Sequence, residues 1–133
     1  MMVELCAEAL EVLARERPAA HAAFRGLLAE RTISLAFGGD DTATIRDGTV
    51  VAFMADASVE VRTSARTLHA VLHGSIGTLD AVLADQLFVR GDADDLIAVS
   101  AAMTVFLQGA LRCAAMPALA GQLEREVRGE RNG

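Results

Sequence analysis

Apolar and polar residues recur along this chain in two periods, and the change from one to the other divides it. Over residues 3–16, Val3, Cys6, Leu10 and Leu13 return at three- and four-residue steps, while Glu4, Glu8, Glu11 and Arg15 fall on the opposite side. That is the spacing of an amphipathic helix, and Glu11 and Arg15 form an i,i+4 pair of favourable orientation. Pro18 suits a first helical turn and predicts a second short helix running to about Glu30, with Phe24, Leu27 and Leu28 apolar. The period then falls to two. Residues 32–37 alternate as a half-buried strand, and Gly38-Gly39-Asp40-Asp41 signals a turn. A second strand over 42–46 and a third over 49–55 flank Asp47-Gly48, a tight hairpin signal. Residues 58–62 alternate as a fourth strand, so an antiparallel meander is expected in the middle of the chain.

Helical spacing returns at Ser64, an N-cap residue for a helix carrying Leu68, Val71 and Leu72 and stopped by Gly74. Thr78 caps a predicted short helix over 79–84, residues 87–90 form a fifth strand, Gly91 turns the chain, and Asp92 caps a long apolar helix. On that helix Ser100, Thr104, Gln108 and Arg112 make one thin polar line. Leu96, Ile97, Val99, Met103, Val105, Phe106, Leu107, Ala110 and Leu111 fill the rest. A surface helix normally buries a stripe about 100° wide. A helix apolar over so much more of its circumference is expected to be sandwiched by other elements or to line an apolar cavity. Pro117 opens a last helix with Leu119, Leu123 and Val127 on one face, and residues 128–133 are expected to fray.

Length and composition narrow the picture. With 133 residues and no linker or repeat, a single domain over 1–133 is expected, large enough to bury roughly two-thirds of its unfolded surface. The hydrophobic fraction is 53% but the aromatic fraction only 4%, five Phe with no Tyr or Trp. The core is therefore aliphatic and deformable, which suits variable apolar ligands. All twelve basic residues are Arg, and Ala is abundant, a pattern that codon bias also produces. The net charge of −6 and scattered Arg argue against nucleic acid and against an anionic membrane surface. The lack of an aromatic platform argues against single-strand binding. Cys6 and Cys113 have no C-x-x-C spacing and read as buried apolar residues, with their mutual distance open. The start lacks a basic region and a long apolar run, so no signal peptide is expected. The helix after Asp92 reads as too short and too interrupted to span a bilayer, and a cytoplasmic location is expected.

Chemistry-bearing groups are sparse. Asp92, Asp94 and Asp95 lack the spaced oxygen ligands and terminal Glu of a calcium loop and read as helix-capping acids, with Asp92 accepting from the free amides. His69 and His73 share a helix face but lack the Glu of a hydrolytic zinc helix and a third ligand. They read as a solvated polar face opposite Leu68 and Leu72, beside Arg66, and His21 stands alone in an Ala-rich helix. No G-x-S-x-G elbow or phosphate-cradling loop is present, and Asp40-Asp41 suits a turn without further function. The expectation is no enzyme, no metal and no cofactor.

The run from Val59 through Phe106 resembles the sterol carrier protein type-2 domain. The shared pattern is the alternating Ser58-Val59-Glu60-Val61, a helix ending at Gly74, a short helix, an apolar strand closed by Gly91-Asp92, and a helix of the Leu96-Ile97-Val99 kind. The Asp47-Gly48 hairpin fits the family's early strands. The order of elements matches along the whole chain, the residues only in its second half. The chain departs from the family at Asp85-Gln86, where Gly is common, and at Val82, where Phe is common. The resemblance implies an α+β fold: a five-stranded, mostly antiparallel sheet covered on one face by helices, with an apolar tunnel between. It also implies binding of a fatty acid, acyl-CoA or sterol-like lipid. Cavity positions are expected at Phe53, Ile76, Leu79, Val82, Leu83, Met103, Phe106 and Leu107, with Leu119 and Leu123 of the last helix as a lid. The second reading is a protein-interaction or homodimerisation module using the same apolar surface, with no small ligand.

Overall fold

A computed structural model describes residues 2–72, 80, 84 and 87–132. The elements in chain order are α1 (Met2–Glu16), α2 (Pro18–Leu28), β1 (Ile33–Ala36), β2 (Thr42–Arg46), β3 (Thr49–Val51), β4 (Val59–Arg62), α3 (Ala65–Leu72), β5 (Phe88–Gly91), α4 (Ala93–Ala110) and α5 (Met116–Asn132). The Gly74 stop, the Thr78 cap, His73, the Asp85-Gln86 departure and, apart from Asp80 and Ala84, the helix expected over 79–84 lie outside the described residues.

Both N-terminal helices follow their apolar spacing. The amphipathic α1 buries Met2, Leu10, Val12 and Leu13. Its start is held from a distance: the Asp41 carboxylate accepts from the backbone N–H of Met2 (2.9 Å) and of Val3 (3.1 Å). The Asp40-Asp41 turn therefore has a capping role as well as a turning one, because a carboxylate satisfies amides that a helix start leaves without partners. Pro18 opens α2 as expected, but the helix ends at Leu28, short of Glu30, where Ala29 turns to a φ of 53°. That positive φ leaves the right-handed helical region. At the Asp47-Gly48 hairpin both residues take positive φ, 53° and 77°, as a primed two-residue turn requires.

The sheet order is β3-β2-β1-β4-β5. The first three strands form the expected antiparallel meander, but the fourth does not extend it. It lies on the far side of β1 and runs parallel to it, Ile33 opposite Val59 and Ala36 opposite Arg62. Residues 52–58 make this crossing. Met54 N–H donates to Thr44 Oγ1 (2.8 Å) in the middle of β2. Ser58 and Thr32 then clasp reciprocally, Ser58 N–H to Thr32 Oγ1 (3.0 Å) and Thr32 N–H to Ser58 Oγ (3.2 Å). The clasp fixes the start of β4 beside the start of β1, and β5 completes the sheet antiparallel to β4.

One face of this sheet carries the core. Ile45, Ile33 and Val59 stand in one row across β2, β1 and β4. They pack against Leu10 of α1, Phe24 and Leu28 of α2, and Val99 and Ala102 of α4. A second cluster joins Met2, Ala65, Leu123 and Val127, and a third joins Val12, Leu13, Cys113 and Leu119, so α5 packs on α1 and α3. Glu16, at the end of α1, accepts from the N–H of Ala114 (2.7 Å) and Ala115 (3.3 Å) and so ties down the entry to α5. That helix continues to Asn132, through most of the stretch expected to fray. Ser64 caps α3 as read, its Oγ accepting from Thr67 N–H at 3.1 Å.

The architecture is the α+β fold expected, with a mixed, mostly antiparallel five-stranded sheet under helices. An apolar tunnel between the layers is not seen among the described residues. The core side chains meet directly, and two clefts among these residues are lined mainly by polar and charged groups.

Candidate apolar ligand surface

The site begins with α4. Asp92 holds the N-cap position in extended conformation, and Asp94 and Asp95 follow in the first turn. The expected bond from the Asp92 carboxylate to the free amides is not made. Its carbonyl instead accepts the first helical bond, from Leu96 N–H at 2.9 Å, while its exposed carboxylate stays in solvent. All three acids still lie at the positive end of the helix dipole. Arg31 Nε donates to Asp95 Oδ1 at 2.8 Å and ties this end of α4 to the link before β1.

Among the described residues, the helix is not sandwiched. Only Val99, Ala102 and Gly109 are buried, and α2 is the main neighbour. Small residues set this contact: a Cβ on Gly109 would come within 2.7 Å of Leu13 Cδ1 and 3.0 Å of Ala20. Close approach on the small side turns large side chains outward. Ile97 is 69% exposed, Leu111 87% and Met103 36%. Ser100, Thr104, Gln108 and Arg112, the thin polar line, are exposed as well. At 18 residues and a mean hydropathy of 1.2, α4 is long and apolar enough to cross a membrane by length and composition alone. Its docking on α2 and the sheet makes it an element of the folded layer.

The sheet shows the same graded exposure. The Ile33–Val59 row is sealed, but the next row on that face, Leu35, Val61 and Val89, opens toward the β5 edge. Leu35 and Val61 are half-buried, and Val89 is 37% exposed. Among the described residues, the helix layer therefore ends in partly exposed apolar side chains on α4 and β5.

Several expected site residues separate. Met103 and Leu107 stand four apart on α4, partly exposed and half-buried respectively. Phe106 turns inward, its ring 6.0 Å from Phe24 and tilted by 52°. Phe53 follows β3 and is 50% exposed. Leu119 is buried with Val12, Leu13 and Cys113, and Leu123 with Met2 and Ala65. Ile76, Leu79, Val82 and Leu83 lie outside the described residues. Ile97 and Val89 were not among the expected positions; Ile97 shares a helix stripe with Ala101, Thr104 and Leu111, and that spacing is its sequence signal.

The histidine reading changes too. His69 is not on a solvated face but half-buried against α5, with Nε2 3.9 Å from a Glu124 carboxylate oxygen. Packing of α5 on α3 covers it. Cys6 and Cys113 are both free thiols. Burial, reinforced by the Asp41 carboxylate, pushes Cys6 up to about 12. Burial also raises Cys113, with Glu16 adding to it, and its Sγ donates to Gly109 O at 3.4 Å. Among the described residues, no three His, Cys, Asp or Glu side chains are placed to hold a metal ion.

No protein-family model matches the sequence, and no curated protein matches it. Solved structures do match. A crystal structure of sterol carrier protein 2 aligns over 83% of this chain and 98% of its own, at 17% identity and a TM-score of 0.52. The fold is that of sterol carrier protein 2. The apo form from Yarrowia lipolytica agrees, over 84% of this chain and 90% of its own at 12% identity, with a TM-score of 0.52. So does a conserved hypothetical protein from Thermus thermophilus, described as possibly a sterol carrier protein: 80% and 84% coverage, 18% identity, TM-score 0.51. The chain also spans 12% of the length of a sec-alkylsulfatase from Pseudomonas sp., over 57% of this chain, with 18% identity and a TM-score of 0.40. At these identities the likeness to sterol carrier protein 2 is one of fold.

Proposed function

We propose that this chain binds and carries an apolar ligand of the fatty acid, acyl-CoA or sterol-like class, without catalysing a reaction. The observation that supports it most directly is the partly uncovered apolar surface of α4 and β5, with Ile97 69%, Val89 37% and Met103 36% exposed on a sterol-carrier fold. Burial supplies the affinity, at about 25 cal/mol per Å² of apolar area removed from water. Met103 and Leu107, with Ile97 and Val89, are the residues we assign to contact; Phe106 backs them through its packing on Phe24. A soluble carrier working as a single unit in the cytoplasm fits this reading.

The test is binding of a fluorescent acyl probe to the protein and to Met103→Trp. Trp has room at a partly exposed position and would occupy the surface, so the fold, followed by circular dichroism, persists while probe binding is lost. Unchanged probe affinity in the folded variant refutes the placement. The exposed Leu111 and Ile97 also suit the second reading, a protein-interaction or dimerisation face. Native mass spectrometry separates the two: a co-purified lipid mass supports carriage, a ligand-free dimer supports interaction.

A further inference from the structure

Ligand carriage leaves unused the end of the molecule where the α1–α2 turn meets the α4–α5 turn. Arg17 Nη2 donates to Arg112 O at 3.2 Å, and the Glu16 carboxylate takes the amides of Ala114 and Ala115. The Cys113 thiol, raised by burial and by Glu16, is drawn the other way by the charges of Arg17 and Arg15. Arg15, Arg17 and Arg112 are thus gathered at one tip, and all three are exposed. Leu111 stands beside them with 87% of its surface in solvent, next to the exposed Ala114, Pro117 and Ala118.

The charge of this tip runs against that of the whole chain. The net charge is −6, yet between Asp95 and Glu124 there is no acidic residue, and the one charged side chain in that stretch is Arg112. Among the described residues none of the three arginines is in an ion pair. That includes Arg15 with Glu11, one turn before it on α1. Glu16 is the acid within the tip, and its carboxylate already serves two amides. The balance is three guanidinium groups to one engaged carboxylate. At about 1.5 Å per residue, Asp95 stands about 24 Å along α4 from Leu111, and Glu124 about 12 Å along α5 from Met116. Both distances exceed the Debye length of about 8 Å at physiological ionic strength. Those acids are screened from the tip, so its own charges decide what it attracts. A single exposed leucine is ordinary. One set among arginines in an acid-free stretch combines the two attractions that hold a protein on an anionic membrane surface, apolar burial and headgroup charge.

We propose that this tip docks the protein peripherally on a membrane rich in anionic lipid, with Leu111 entering the headgroup region and Arg15, Arg17 and Arg112 pairing with headgroup phosphates. The planar guanidinium fork matches phosphate oxygens. One leucine buries too little to anchor the chain, so docking is reversible. The proposal does not depend on ligand carriage.

The experiment is sedimentation of the full chain with vesicles of phosphatidylcholine alone and of an equal mixture of phosphatidylcholine and phosphatidylserine. Binding to the mixed vesicles is expected, weakening as salt is raised, with little binding to the neutral ones. Leu111→Ser should weaken it about tenfold, and Arg112→Gln and Arg15→Gln about fivefold each. These side chains are exposed, so the fold, followed by circular dichroism, persists. Arg90→Gln removes the same charge from an exposed position beyond the far end of α4 and should leave vesicle binding unchanged. Equal binding to both vesicles, full binding by Leu111→Ser, or a loss in Arg90→Gln equal to that in Arg112→Gln would each overturn the proposal. Binding of polyglutamate with no binding of vesicles would assign the tip to an acidic polypeptide and overturn it as well. Acyl-probe affinity measured without vesicles is expected to be unchanged in these variants, so failure here is distinguishable from failure of the carrier reading.

Discussion

Ile97→Ser probes the uncovered side of α4 with little effect on the fold. Full burial of an isoleucine side chain is worth about 1.5–3 kcal/mol. With 69% of Ile97 exposed in the free protein, about 1–2 kcal/mol of that remains available to a ligand that covers it. Loss of the side chain should then weaken an acyl probe about 5- to 30-fold. Stability should change little, within about 0.5 kcal/mol, since surface substitutions away from packed features have small effects and Ile and Ser have similar helix propensities. The assay is fluorescence titration of the probe beside urea unfolding of both proteins. An unchanged probe affinity with an unchanged unfolding midpoint would refute the argument that this face receives the ligand. Destabilisation by more than about 1 kcal/mol would refute a different step, the reading that Ile97 contributes no internal packing.

Glu16→Ala removes both carboxylate bonds to the amides of Ala114 and Ala115; a loss of about 1–2 kcal/mol is expected. For 133 residues the unfolding entropy is about 0.28 kcal/mol/K, so the melting temperature falls by roughly 4–7 °C. Gly48→Ala places a Cβ at 2.5 Å from Arg25 Cγ on a residue with φ of +77°; a loss of about 1–3 kcal/mol is expected in urea unfolding, against little change for Gly26→Ala, which meets nothing within 4 Å beyond gaining helix propensity. Cys6 ionises near 9 when unfolded and only near 12 when folded, so the folded state holds its proton longer. Its contribution is full below about pH 9 and is lost as pH rises toward 12; Cys6→Ala should flatten the alkaline decline of stability followed by circular dichroism. Cys6 is half-buried, not buried as the sequence reading had it; a thiol reagent at pH 8 should still label it faster in urea than in buffer, and equal rates would contradict that partial burial.

Local chemistry made much of this fold legible. The three- and four-residue steps of α1, the Pro18 start, the Asp47-Gly48 hairpin and the Ser64 cap each act within a few residues, and each is found where the sequence reading places it. The glycine and apolar spacing around β5 and α4 led to the sterol-carrier fold for the same reason. Errors lie where a long-range partner intervenes. The fourth strand reads as one more hairpin partner, because alternation reports a strand and not its neighbour; the Ser58–Thr32 clasp sends it to the far side of β1. The polar His69 reads as solvated, since nothing near it in sequence reveals that α5 packs over α3.

The candidate site divides along the same line. Sequence alone determined that α4 is a largely apolar helix starting after Asp92, and that the core is poor in aromatic residues, because composition and periodicity are properties of the chain itself. Tertiary structure decided which of those apolar residues are buried. Ala102 and Gly109 bring α4 close to its neighbours, which turns Ile97 and Met103 outward and Phe106 inward. It also decided that Asp41 and Glu16 cap helix starts 38 or more residues away along the chain. Such choices depend on which surfaces meet, and surfaces distant in sequence meet only once the chain has folded.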